Sequence, residues 1–160
     1  MSKRLFFVQA DRRRRRVFGL GAALLLLALA PAVTAPALAG DAEFRVIVHP
    51  SNGAGAMDRD FVADTFLKKV TRWPNGEGAK PVDLRPDNAV RRRFSETVLK
   101  RTVNAVRSYW QQRIFSGRDV PPPELESDDA VVAYVAKNPG AIGYVSASTK
   151  LAGVKELPLR

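Results

Sequence analysis

From Phe66 to Phe94 the chain reads FLKKVTRWPNGEGAKPVDLRPDNAVRRRF, a stretch that leaves the backbone few options. A helix end runs into the aromatic turn of Thr71, Arg72 and Trp73. Trp73-Pro74-Asn75-Gly76 then breaks the chain. Pro81 to Arg85 is short and apolar enough for a buried strand. Pro86 bars Arg85 from helical backbone, so a new helix starts at Asp87 or Asn88, with Asn88 able to cap it. That helix opens on Arg91, Arg92 and Arg93. Cations in a first helical turn oppose the helix dipole by about 0.3–1 kcal/mol each. Three together imply either a fully solvated face, the plainer reading, or an anion near the outward-pointing N–H groups.

The flanking segments supply the partners for this stretch. Glu43 to His49 alternates Phe44, Val46 and Val48 with Arg45 and Ile47 and reads as a strand. His49 then faces solvent or a loop carbonyl as the loop His49 to Gly53 begins. Asp58 is a candidate N-cap for a helix carrying Asp60 in its first turn and Val62, Phe66 and Val70 on one stripe. Lys68 and Lys69 suit its C-terminal end. Beyond the central stretch, Val90, Phe94 and Val98 are spaced by four on the helix capped by Asn88. Val103, Val106, Trp110 and Ile114 form the stripe of a further helix, ended by Gly117 and the stiff run Pro121 to Pro123. Ser127 caps a last helix with Asp128 and Asp129 in its first turn and Val131, Val132 and Val135 on its buried face. Asn138-Pro139-Gly140 stops it. Ala141 to Val145 is a strand in which Gly143 signals a close approach or a bulge. Val154 to Leu159 is an edge strand, since Pro158 cannot donate to a ladder. The order β-α-β-α-α-α-β-β predicts an α/β fold, a small mixed sheet covered by helices.

Charge and composition remove several functions. The formal net charge is +10, but residues 1–39 hold seven cations against Asp11 and account for six of it. A nucleic-acid partner therefore loses its electrostatic basis. No cysteine is present and His49 is the only histidine, so disulfides, thiolate metal sites, histidine metal clusters and a Ser-His-Asp triad all fall away. No cofactor or metal is expected. Residues 1–39 read as an export signal: a basic start ending at Arg16, an apolar run from Val17 to Leu29, and Ala37-Leu38-Ala39 as a small-x-small cleavage site. The apolar run falls short of the ~20 residues that span a bilayer, so no stable membrane insertion is expected after cleavage. Arg15-Arg16-Val17-Phe18 is compatible with the twin-arginine as well as the Sec route. Residues 40–160 are then one domain, placed in the periplasm.

Three segments carry a family resemblance. Phe66-Leu67-x-x-Val70-Thr71-x-Trp73 is similar to the F-L-G-K-I-T-x-W segment of periplasmic phosphate-binding proteins of ABC importers. Val82 to Phe94 falls where that family has a strand and an Arg-Ser-Asp-Gly-Ser-Gly-Thr loop opening a helix. Asn138 to Val145 resembles its T-P-G-A-I-G-Y segment. The similarity spans nearly all of residues 44–147 and implies a single periplasmic-binding-protein-like lobe, where phosphate-binding relatives have two. It also implies a non-enzymatic solute-binding-like protein for phosphate or another small oxyanion. Arg85 and Asp87 fall on the family's Arg and Asp. Pro86, Asn88, Ala89, Val90, Arg91 and Arg92 replace its Ser, Gly, Ser, Gly and Thr positions, so the hydroxyls and glycines that wrap an oxyanion are gone. Guanidinium forks can substitute electrostatically.

The resemblance thus nominates Arg85, Asp87, Asn88, Arg91, Arg92 and Ser51 as ligand-binding residues. Asp87 would accept from a protonated anion, and Arg85 and Arg91 would neutralise it. Replacing Arg85 and Arg91 should then leave the fold intact. The alternative is an envelope interaction module, a lobe kept as scaffold that contacts another envelope protein without binding a ligand. An enzyme is not expected, because no carboxylate pair stands at a spacing that demands acid–base work and no nucleophile has a visible base. The signal reading makes a direct prediction: mass spectrometry of the exported protein finds Gly40 as first residue, and recovery of an intact N-terminus in membranes overturns it.

Overall fold

The computed structural model describes residues 43–160; the expected signal, residues 1–39, lies outside them. Its centre is β1 (Phe44–Val48), whose Val46, Ile47 and Val48 are all buried. Successive strand residues face opposite sides, so both faces of the sheet are covered. β1 pairs antiparallel with β5 (Ala141–Ser146) on one side and with β6 (Lys155–Glu156) on the other. β2 (Lys80–Pro81) runs parallel to β5 and completes a four-stranded order β2-β5-β1-β6. Pro81 sits on this edge strand, where its missing N–H costs nothing.

The run Pro81 to Arg85 is not one strand. Val82 N–H still donates to Ile142 O at 2.9 Å, but Asp83 N–H donates to Pro123 O and Arg85 N–H to Leu125 O. The segment changes partner within one residue and becomes β3 (Asp83–Leu84), parallel to β4 (Glu124–Leu125) in a separate two-stranded sheet. β4 was not foreseen: the extended proline run delivers it, and two residues are too few to leave a pattern.

Among the described residues four helices accompany the sheet. α1 (Arg59–Phe66) begins at Asp58, but the Asp58 side chain makes no cap; it pairs with Arg160 at 3.0 Å. α1 also ends before Val70, which therefore leaves the expected stripe. Lys68 takes a positive φ of 51°, Lys69 N–H reaches Asp64 O and Lys68 N–H reaches Thr65 O. That is the bond pair of a Schellman ending with lysine in the left-handed position. α2 (Ala89–Thr97) starts as expected, with Asn88 Oδ1 accepting from Val90 N–H at 2.8 Å. α4 (Asp128–Lys137) is capped by Ser127, and its Asp128 also accepts from Ser146 N–H at 2.8 Å and from Thr149. α4 lies close over β5 because position 143 is glycine: a Cβ there would stand 2.6 Å from Val131 Cγ1. The last edge strand is shorter than Val154 to Leu159, with β6 covering only Lys155–Glu156.

The core draws on the central strands and on all four of the described helices. Phe66, Phe94 and Tyr144 pack together, Phe94 stacked on Tyr144 with centroids 3.8 Å apart and Phe44 edge-on to Phe94. Phe66, Trp110, Val135 and Ile142 all belong to the buried cluster. α3 (Val103–Phe115) buries Val106 and Trp110, but its far end departs from the expected stripe: Ile114 is 49% exposed and Phe115 90%. Trp110→Ala is therefore expected to cost about 3–5 kcal/mol in denaturant melts, while Phe115→Ser changes stability by no more than about 0.5 kcal/mol. Equal effects of the two would reverse this assignment of α3's faces.

Candidate functional site

Each nominated residue can now be placed. Arg85, Asp87 and Asn88 form the turn between β3 and α2, and with Glu126 they line one shallow depression of about 340 Å³. Arg85 spans it: Nη1 donates to Glu126 Oε1 at 3.3 Å, and Nε stands 3.8 Å from Asp87 Oδ1. All three side chains are more than half exposed, so water keeps these pairs weak and exchangeable. Arg92 is exposed on the first turns of α2. Ser51 does not join them. It follows β1, whose neighbour His49 bonds Ala141 at the start of β5, whereas Leu84, next to Arg85, meets Tyr144 near the end of β5. Its hydroxyl lies 2.7 Å from His49 Nδ1. That contact keeps His49 at the strand end, one of the places expected for it.

Arg91 is neither a solvated cation nor an open anion receptor, because its side chain turns inward and is only 5% exposed. Nη1 lies 2.7 Å from Asp83 Oδ2, donates to Leu84 O, and stands 3.5 Å from Glu124 Oε1. Asp83 in turn accepts from Tyr144 Oη and from Leu84 N–H. One guanidinium thus joins α2 to β3 and β4, and its carboxylate partner joins β5. The expectation that Arg91 can be removed without damage to the fold is corrected by this burial: its loss leaves Asp83 charged and unpaired in the interior. The signal that sequence reasoning lacked was Asp83 itself, whose inward orientation follows from the change of sheet at Val82.

Burial lifts the Asp83 carboxyl from 3.8 to about 6, against the pull of Arg91 and the bonds from Tyr144 and Leu84. Burial, with the Asp83 charge beside it, pushes the Tyr144 hydroxyl well above its ordinary value. Neither group has an open path to a substrate, and among the described residues no cluster of His, Asp and Glu can hold a metal ion.

The backbone arrangement has relatives among solved structures. A Clostridium perfringens protein described as a phosphate ABC transporter substrate-binding protein, solved with bound phosphate, matches 72% of this chain with TM-score 0.58 and 18% identity. An ABC-type phosphate transport receptor from Vibrio cholerae matches 72% with TM-score 0.55 and 15% identity. PstS from Borrelia burgdorferi matches 73% with TM-score 0.57 and 9% identity. The chain spans less than half the length of each, at 44%, 45% and 47%. No family model and no curated protein matches the sequence. The chain therefore has the fold of a phosphate-binding-protein lobe, as the three segments implied, at identities that speak to fold alone.

The Asp83 site gives a pH dependence opposite to the usual one for an aspartate. The folded pKa lies above the unfolded value, so between about pH 4 and pH 6 the native state holds a proton that the unfolded chain has released. Over that window this group makes stability fall as pH rises, by at most about 3 kcal/mol, and above pH 6 it adds no slope. Asp83→Asn is expected to flatten this segment of the urea-melt profile. At pH 7 it should also cost about 3–5 kcal/mol, because Arg91 loses its buried counter-charge. An unchanged slope from pH 4 to 6 would show that Asp83 is not its source.

Proposed function

We propose that this chain is an exported, non-enzymatic, solute-binding-like lobe that takes phosphate or a similar small oxyanion at the Arg85–Asn88 turn. The observation that carries this reading is the Arg85 guanidinium, exposed beside the capped start of α2 and held, among the described residues, only by the exposed carboxylates Asp87 and Glu126. An incoming hydrogen phosphate takes over the Arg85 fork. Its own O–H donates to one of the displaced carboxylates, as Asp87 was expected to accept. Arg92 adds positive charge from the next turn, while Arg91 serves the fold. Ser51 belongs to the other end of β5 and has no part in this site. Support comes from the fold likeness to phosphate-binding proteins and from the three sequence segments. Among the described residues no helix is long and apolar enough to cross a membrane, which agrees with a periplasmic location after cleavage of residues 1–39.

Affinity at such a site is low. One exposed charge contact contributes about 0.2–1 kcal/mol, so an open lobe holds phosphate near millimolar, about 4 kcal/mol in all. A second reading has its own observation: Ile114, Phe115 and Val120 stand exposed within one short span at the end of α3. On that reading the lobe is a scaffold and this end contacts another envelope protein.

A melting experiment separates the two. Phosphate at about 20 mM, well above a millimolar dissociation constant, is expected to raise the melting temperature relative to chloride of matched ionic strength. Sulfate, fully ionised and without a proton to donate, should do less. Arg85→Ala should abolish the phosphate shift and leave the ligand-free melt unchanged. No shift in the wild-type protein removes the oxyanion reading and leaves the contact surface of α3.

A further inference from the structure

A second pocket, of about 160 Å³, lies where α2, α3 and the approach to β4 meet; Pro86 of the Arg85 turn lines one edge of it, while Arg85, Asp87 and Asn88 do not. Its lining is of two kinds. Trp110, Ile114 and Pro121 are apolar, while Arg91, Arg107 and Glu124 are charged. The bonds of Arg91 all fall on Nη1, and its buried Nε has no partner among the described residues. Arg107 has neither hydrogen bond nor ion pair among them. Glu124 holds one long contact, 3.5 Å to Arg91 Nη1, and its side chain is 43% exposed. The pocket therefore presents two incompletely used guanidiniums and one loosely held carboxylate over an apolar wall.

The charges narrow the ligand. A neutral apolar molecule would cover the Arg91 and Arg107 donors without replacing their water, which is costly. A simple anion would satisfy them but press against Glu124, and a simple cation would meet two arginines. A molecule with a carboxylate and an ammonium on adjacent atoms satisfies all three groups. The volume sets its body: a cavity of about 150 Å³ accepts benzene, so an aliphatic or aromatic side chain of that size fits against Trp110 and Ile114. We propose that this pocket binds a free α-amino acid with an apolar side chain, its carboxylate on Arg91 and Arg107 and its ammonium on Glu124. Asp83 and the Leu84 carbonyl fix the Arg91 guanidinium beforehand, which lowers the ordering cost of binding.

Isothermal titration of the purified protein tests this with L-leucine as the probe. Isocaproate, which lacks the ammonium, and isoamylamine, which lacks the carboxylate, are the comparisons. Leucine is expected to bind near millimolar, and each analogue about tenfold more weakly or worse. Arg107→Gln and Glu124→Gln should each weaken leucine by about tenfold; Arg107→Gln, at a surface position outside the Asp83–Arg91 cluster, should leave the ligand-free melt unchanged. Arg85→Ala should leave leucine binding intact, and phosphate should not compete. No heat at about 20 mM leucine overturns the proposal, as do equal binding of either analogue, indifference of both variants, or competition by phosphate.

Discussion

The buried pair of Asp83 and Arg91 is the contact on which the arrangement depends. Two charges withdrawn from water cost several kcal/mol each unless each is fully bonded. Here Asp83 pairs with Arg91 and accepts from Tyr144 and Leu84, while Arg91 reaches Asp83, the Leu84 carbonyl and Glu124, its buried Nε alone having no partner among the described residues. These partners sit on β3, β4, β5 and α2, so satisfying one pair fixes four elements relative to one another. The stacking of Phe94 on Tyr144 closes the same corner from the apolar side. Removing either charge strands the other, which is why the corner behaves as a unit.

That corner also decides what the surface has left to offer. With Arg91 turned inward, the arginine run contributes Arg92 and the neighbouring Arg85 to the exposed turn, each in high dielectric. Binding there is weak by physics, whatever the ligand. The inward Arg91 is at the same time a lining residue of the second pocket, together with Trp110 and Ile114. One residue thus separates two candidate sites of different character: an open ionic turn and a half-enclosed amphipathic pocket.

A second joint holds the opposite end of the sheet. Trp73 Nε1 donates to Gly140 O at 2.9 Å, and Lys80 N–H donates to the same carbonyl. Gly140 has φ of 78°, and a Cβ on it would lie 2.2 Å from Gly78 O. The Thr71-x-Trp73 and Asn138-Pro139-Gly140 segments therefore touch one another. They read clearly in sequence because they are the two halves of one packing joint, which accounts for their legibility without any ligand.

Local rules carried much of the architecture. The caps Asn88 and Ser127, the stop at Asn138-Pro139-Gly140 and the strand at β1 each depend on neighbours within a few residues, so the sequence by itself determined them. The exposed turn at Arg85, Asp87 and Asn88 was legible for the same reason, since Pro86 and the helix cap set its backbone. What only the tertiary structure decided are features whose partner lies far along the chain. The Pro81–Arg85 strand divides because Pro123 and Leu125 compete with β5 for its donors. Asp58 serves Arg160 instead of its own helix. Ser51 and Arg85 lie towards opposite ends of β5 because β1 and β5 run antiparallel. Arg91 is buried because Asp83, eight residues earlier, is carried inside by the change of sheet. A periodicity marks arginine as polar and therefore outward; only a buried counter-charge supplied by another element reverses that, and no window of sequence contains it.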